Sequence, residues 1–90
     1  MPLENSKSLS IVIPVFNEIN FLYKLFDQIK FYFNSENIEI IVVDDGSTDG
    51  SFNLLKEIKD KKNYKFTFKL IKLDINSGKG KAIQTGIKNS

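Results

Sequence analysis

The sequence predicts an α/β fold, a small sheet of three parallel strands with helices on both faces. Three observations carry this expectation. Ile40-Ile41-Val42-Val43 is an unbroken β-branched run without polar alternation, which suits a strand covered from both sides. Apolar residues recur at spacings of three and four between the strand candidates, the mark of helices with one apolar side. The order along the chain is β-α-β-α-β-α, which right-handed crossovers turn into parallel strands clothed by helices.

Residues 9–14 read as the first strand, and Pro14 with Asn17 ends it in a loop. In the helix that follows, Ile19, Leu22, Phe26, Ile29 and Phe33 form the apolar side and leave Lys24, Asp27 and Lys30 toward water. Residues 38–43 form the second strand. It runs into Asp44, Asp45 and Gly46, at the strand end where open parallel sheets bind ligands. Thr48 or Asp49 can cap a second helix whose apolar side is Phe52, Leu55 and Ile58. Residues 60–63 are a charged loop. Phe66, Phe68 and Leu70 then alternate with polar residues, and so do Ile71, Leu73 and Ile75, but the phase slips at Leu70-Ile71. Either a bulge or a change in the covered face is implied. Residues 76–81 lead into a third helix with Ala82, Ile83 and Ile87 inward.

Composition narrows the chemistry. Ninety residues with 41% hydrophobic content suit one small domain that buries roughly 60–65% of its unfolded surface. Neither cysteine nor histidine occurs, so disulfides, thiol chemistry, a histidine base and the usual zinc sites are excluded. A metal would need oxygen ligands. Residues 1–8 are a polar tail, no apolar run exceeds about six residues, and neither a secretory core nor a membrane span can be built from that. A cytoplasmic chain, or the cytoplasmic part of a larger protein, is expected. The net charge of +2 hides an asymmetry: residues 1–50 hold three Lys against eight acids, and residues 51–90 hold ten Lys against three. Every basic residue is lysine, interleaved with apolar residues, which argues for a solvated face and against nucleic acid as a partner.

Three segments carry candidate chemistry. Asp44 and Asp45 could accept hydrogen bonds from a base or ribose, or bind a cation; a turn with a helix cap needs only one carboxylate, and two side by side repel unless a donor compensates. Gly78-Lys79-Gly80-Lys81 before a helix has the ingredients of a phosphate site, or of a flexible loop. It is not a P-loop, since position 73 is Leu73 and Gly80 stands where Ser or Thr is needed; Ile83 likewise breaks a dinucleotide fingerprint. Pro14-Val15-Phe16-Asn17-Glu18 alone reads as a loop with an acid at a helix N-terminus. No Asp-x-Asp and no calcium-loop pattern occurs.

Together, Ser10-Ile11-Val12-Ile13-Pro14-Val15-Phe16-Asn17-Glu18, the segment Ile41-Val42-Val43-Asp44-Asp45-Gly46-Ser47-Thr48-Asp49-Gly50, and Asn76-Ser77-Gly78-Lys79-Gly80-Lys81-Ala82 with Gly86 resemble the N-terminal half of family-two glycosyltransferases. The flavour is that of the polyprenyl-phosphate (dolichol-phosphate) sugar synthases. The resemblance covers about residues 9–89, and three motifs in order are far more specific than one. It implies a Rossmann-like half-sheet, the N-terminal part of the A-type glycosyltransferase (GT-A) fold, with strand order 3-2-1 and the first strand at an edge. A missing C-terminal half or another chain would then cover that edge.

The implied activity is inverting sugar transfer from a nucleotide-diphosphate donor to a polyprenyl phosphate or saccharide, as in cell-wall or polysaccharide synthesis. Residue by residue, the resemblance puts Pro14, Val15 and Phe16 beside the base, Glu18 at the nucleoside, Asp45 on the base edge with Asp44 supporting it, and Lys79 near the diphosphate. Mg²⁺ or Mn²⁺ is implied for a full-length enzyme, with its Asp-x-Asp ligands and carboxylate base outside these residues. Residues 9–90 are therefore expected to be a donor-nucleotide half-site, inactive alone, of an enzyme that works in the cytoplasm, at a membrane face where the acceptor is membrane-associated. The competing readings are a non-catalytic nucleotide-binding module on the same half-sheet and a receiver-like domain; the second is disfavoured because its acids belong after the first strand.

Overall fold

Ile38–Asp45 is the central strand, β2, of a three-stranded parallel sheet in the computed structural model, which describes residues 9–61 and 63–90. The polar tail expected at residues 1–8 lies outside the described residues. β1 (Leu9–Val15) pairs on one side of β2 and β3 (Thr67–Leu73) on the other, so the order is 3-2-1 and β1 is an edge. The helices are α1 (Leu22–Phe33), α2 (Ser51–Lys61) and α3 (Lys79–Lys88).

Because β2 is buried along nearly its whole length, its side chains serve two cores by simple alternation. Ile40 and Val42 face α1 and α2, where they pack with Val15, Leu22, Phe26, Ile29, Leu55, Ile58, Phe66 and Phe68. Phe26 stacks on Phe68 at 5.1 Å between ring centroids, and Tyr64 stacks on Phe66 at 4.5 Å. Ile41 and Val43 face the other way, onto Ala82 of α3, with Val12, Ile71 and Leu73 closing around them.

The phase slip in β3 is a change of covered face. Its register against β2 runs without a bulge from Glu39 opposite Thr67 to Asp45 opposite Leu73. Phe68 and Leu70 enter the first core, while Ile71 and Leu73 enter the second.

Local expectations are corrected: β1 runs through Pro14 to Val15, and α2 takes in Asp60 and Lys61 of the expected charged loop. Ile87 of α3 is 59% exposed, and Gly86 is buried in its place. A Cβ on Gly86 would lie 2.3 Å from Val12 Cγ1, so the missing side chain is what lets the helix approach β1. α1 begins at Leu22, which leaves Ile19 in the preceding loop and turns Phe33 outward. β2 also extends two residues further than the apolar run, taking in Asp44 and Asp45.

Candidate functional site

The carboxyl ends of the strands carry two loop systems, one on each side of Asp44-Asp45. The first laces the loop after β1 to the turn after β2. Asn17, in a left-handed conformation with φ 52°, donates its N–H to Ser47 Oγ (2.9 Å) and accepts the Thr48 N–H on Oδ1 (2.7 Å). Glu18 N–H donates to Ser51 Oγ (3.1 Å), and Ile19 N–H to Asp49 Oδ2 (3.2 Å). Asp49, one of the two candidate caps, also takes the Ser51 N–H on Oδ1 at 2.9 Å. The Ser51 hydroxyl hydrogen bond is the main reason that the Asp49 carboxyl lies below its ordinary value; desolvation, next in size, opposes it, and the Ile19 and Ser51 N–H groups each add a smaller lowering.

Asp44 and Asp45 do not form a pair. As successive residues of one strand they project to opposite faces of the sheet, so mutual repulsion does not demand a ligand between them. Asp44 is fully buried; its Oδ2 accepts the Ser47 N–H at 3.2 Å, and its Oδ1 is buried with no hydrogen-bond partner among the described residues. It shapes the turn and lines no part of the cleft described next.

The second loop system belongs to Asp45, which is 3% exposed. Its Oδ1 accepts the Ser77 N–H at 2.7 Å, and its Oδ2 accepts the Gly78 N–H at 3.0 Å and the Asn76 side-chain amide at 3.2 Å. Gly46 has φ 76°, and a Cβ there would meet the Asn76 nitrogen at 2.4 Å. Glycine is therefore required twice over, for the turn and for the close approach of the second loop.

Between the loops lies an open cleft of about 440 Å³, lined by Pro14, Val15, Phe16, Glu18, Asp45, Asn76, Gly78 and Lys79. Six of the seven residues singled out in the sequence meet here, from three segments far apart in the chain; Asp44 is the exception. Phe16 is 44% exposed, which leaves an aromatic face open to a ligand. Lys79 is the first residue of α3, beside first-turn N–H groups that have no intrahelical carbonyl to bond. Gly78 belongs to the candidate phosphate segment, whereas Asn76 stands in the third motif with no role that the sequence assigns. The signal that could have found Asn76 is its place in an Asn-Ser-Gly turn facing a strand-end acid.

The described residues hold no group of three or more His, Cys, Asp or Glu able to bind a metal ion. Asp45 is engaged by the loop and Asp44 is sealed under the turn. These residues do not fit a divalent metal site. Nor is any helix among the described residues long and apolar enough to cross a membrane.

Comparison with known proteins follows the same outline. Residues 10–90 match the family described as Glycosyl transferase family 2. A dolichyl-phosphate beta-glucosyltransferase of Saccharomyces cerevisiae is 43% identical over 84 residues, 87% of this chain and 25% of the relative. The enzyme of the same name from Dictyostelium discoideum is 36% identical over 93 residues, 96% of this chain and 28% of the relative. An uncharacterised glycosyltransferase of Rickettsia conorii is 34% identical over 86 residues, 96% of this chain but 13% of its own length. The chain thus spans about a quarter or less of such relatives. Among solved structures, the mannosyltransferase PcManGT from Pyrobaculum calidifontis, in complex with GDP-Man and Mn²⁺, superposes with a TM-score of 0.80 at 20% identity, over 94% of this chain and 25% of that one.

Proposed function

Since the chain belongs to glycosyl transferase family 2 and has the half-sheet of the GT-A fold, we propose that its cleft binds the nucleotide of a nucleotide-diphosphate sugar for inverting transfer. The observation that supports this reading is the convergence of Phe16, Glu18, Asp45 and Lys79 on one cleft at the strand ends. In this reading the base lies on Pro14, Val15 and Phe16, with an edge N–H toward the remaining acceptor capacity of Asp45. Glu18 meets the ribose. Lys79 and the first turn of α3 receive the diphosphate, because an ammonium and unpaired helix N–H groups both favour an anion.

The acceptor proposed for the whole protein is a polyprenyl phosphate at the cytoplasmic face of a membrane, by analogy with the dolichyl-phosphate enzymes among its relatives. A divalent ion, as in the complex of PcManGT, would neutralise the leaving diphosphate, held by residues other than those described. Binding without turnover is therefore expected of the 90-residue chain.

Calorimetric titration with UDP, GDP, uridine and guanosine tests the reading. Lys79→Ala should weaken diphosphate binding about tenfold, the worth of one charge-assisted hydrogen bond, and leave the nucleosides unchanged. Failure of the wild-type chain to bind any of the four ligands would overturn the proposal, and an equal loss for nucleoside and diphosphate would overturn the role of Lys79.

A further inference from the structure

We infer that Asp45 is a positioning residue for the phosphate end of the cleft: its carboxylate holds the loop of residues 76–78 where α3 can present its first turn to a diphosphate. The ligand in this statement rests on the nucleotide reading above. The positioning itself rests on hydrogen bonds that are independent of it.

A carboxylate offers about four lone-pair positions. Three are engaged by the loop, through Ser77 N–H, Gly78 N–H and the Asn76 amide, and that amide also donates to the Asp45 main-chain carbonyl at 3.3 Å. Among the described residues, these are the hydrogen bonds that tie residues 76–78 to the sheet. The others they make stay local, Ser77 Oγ to the Ile75 carbonyl and the Ala82 N–H to the Gly78 carbonyl. Packing adds little: Ile75 is 73% exposed, and a Cβ on Gly78 would meet nothing within 4 Å. What seats the loop is Gly46 beneath it and Asp45 beside it.

Gly78 is also the N-cap of α3, and no side chain caps that helix. Packing of Ala82 and Gly86 on the sheet sets the axis of α3, and the bond from Gly78 to Asp45 holds the N-cap from which Lys79, Gly80 and Lys81 present their N–H groups. Asp45 thus acts on a diphosphate through the loop and not by contact.

Two effects of removing the Asp45 charge have opposite signs, which makes the inference sharp. By Coulomb attraction alone, Asp45→Asn takes a negative charge out of the cleft and should tighten the binding of an anion. By positioning, it should weaken that binding. Asn replaces one acceptor oxygen with an amide donor, so either the Ser77 or the Gly78 N–H faces another donor and lets go.

The probe is inorganic pyrophosphate, which has no base to touch Asp45. Calorimetry on the wild-type chain, Asp45→Asn and Asn76→Ala is paired with amide hydrogen exchange at Ser77 and Gly78. Asp45→Asn should bind pyrophosphate about tenfold more weakly and exchange at least one of the two amides about tenfold faster, while Val42 and Leu55 keep their protection. Asn76→Ala keeps the charge and should move both readouts the same way by less; it also serves if Asp45→Asn fails to fold. Equal or tighter pyrophosphate binding with unchanged exchange in both variants would overturn the inference. If the wild-type chain binds neither pyrophosphate nor any of UDP, GDP, uridine and guanosine, the nucleotide reading falls. Faster exchange in the variants would then still support Asp45 as the anchor of the loop, and unchanged exchange would overturn that as well.

Discussion

The two faces of the sheet are built differently. On the α1–α2 side ten buried apolar residues interlock among those described, and four stacked or tilted ring contacts join Phe26, Tyr64, Phe66 and Phe68. On the α3 side Ile41, Val43 and Ala82 are the fully enclosed apolar side chains among the described residues, and α3 reaches β1 because Gly86 has no side chain. That thinner face carries polar joints instead. Glu39, 4% exposed, accepts the Ser10 hydroxyl at 2.8 Å and pairs with Lys69 at 2.9 Å, and Lys69 also holds the Asn89 carbonyl at 2.7 Å. Asp45 and its loop lie on this same face, at the other end of the strand. One face stores cohesion by area, and the other is assembled from a few directional bonds, which suits loops that must meet a ligand.

The largest effect that can break this comparison is Phe26→Ala. It removes a buried ring stacked on Phe68 and should cost about 3–5 kcal/mol in denaturant unfolding, with all elements losing protection together. A loss below about 1 kcal/mol would show that the aromatic face is not where stability is held.

Gly86→Ala should be smaller and local. The new methyl would sit 2.3 Å from Val12 Cγ1, so α3 must shift from β1 at a cost of about 1–3 kcal/mol. Amides of α3 should then exchange faster, with α1 and α2 unaffected. A uniform loss of protection across all three helices would mean that the two faces are not separable.

The smallest effect concerns acid. Hydrogen bonds from Ser51, Ile19 and the Ser51 backbone favour the ionised Asp49 carboxyl, so its folded pKa is below its unfolded value of about 3.9. A depressed folded pKa contributes stability that is present above the unfolded value and lost as pH falls through the folded one. The gap in Tm between the wild-type chain and Asp49→Asn should therefore be constant above about pH 5 and close toward zero in stronger acid. A gap that persists unchanged to low pH would show that Asp49 acts by shape and not by charge.

What the sequence by itself determined is what short-range pattern can encode. The β-branched run at residues 40–43, the three-and-four spacing around Phe26 and Leu55, and the order of the three motifs gave the element sequence, the parallel sheet and the family, and the edge at β1 came only as what the family resemblance implies. The tertiary structure alone decided which way each carboxylate points and what it holds. Asp44 and Asp45 are neighbours in sequence, yet the pleat sends one under a turn and the other toward a loop 31 to 33 residues away. The buried stripe of α3 was equally out of reach, because it depends on how closely the helix axis can approach Val12 and not on the hydrophobicity of Ile87. Periodicity reports which residues can be buried; strand phase and the distance between elements, fixed only when distant segments meet, decide which of them are.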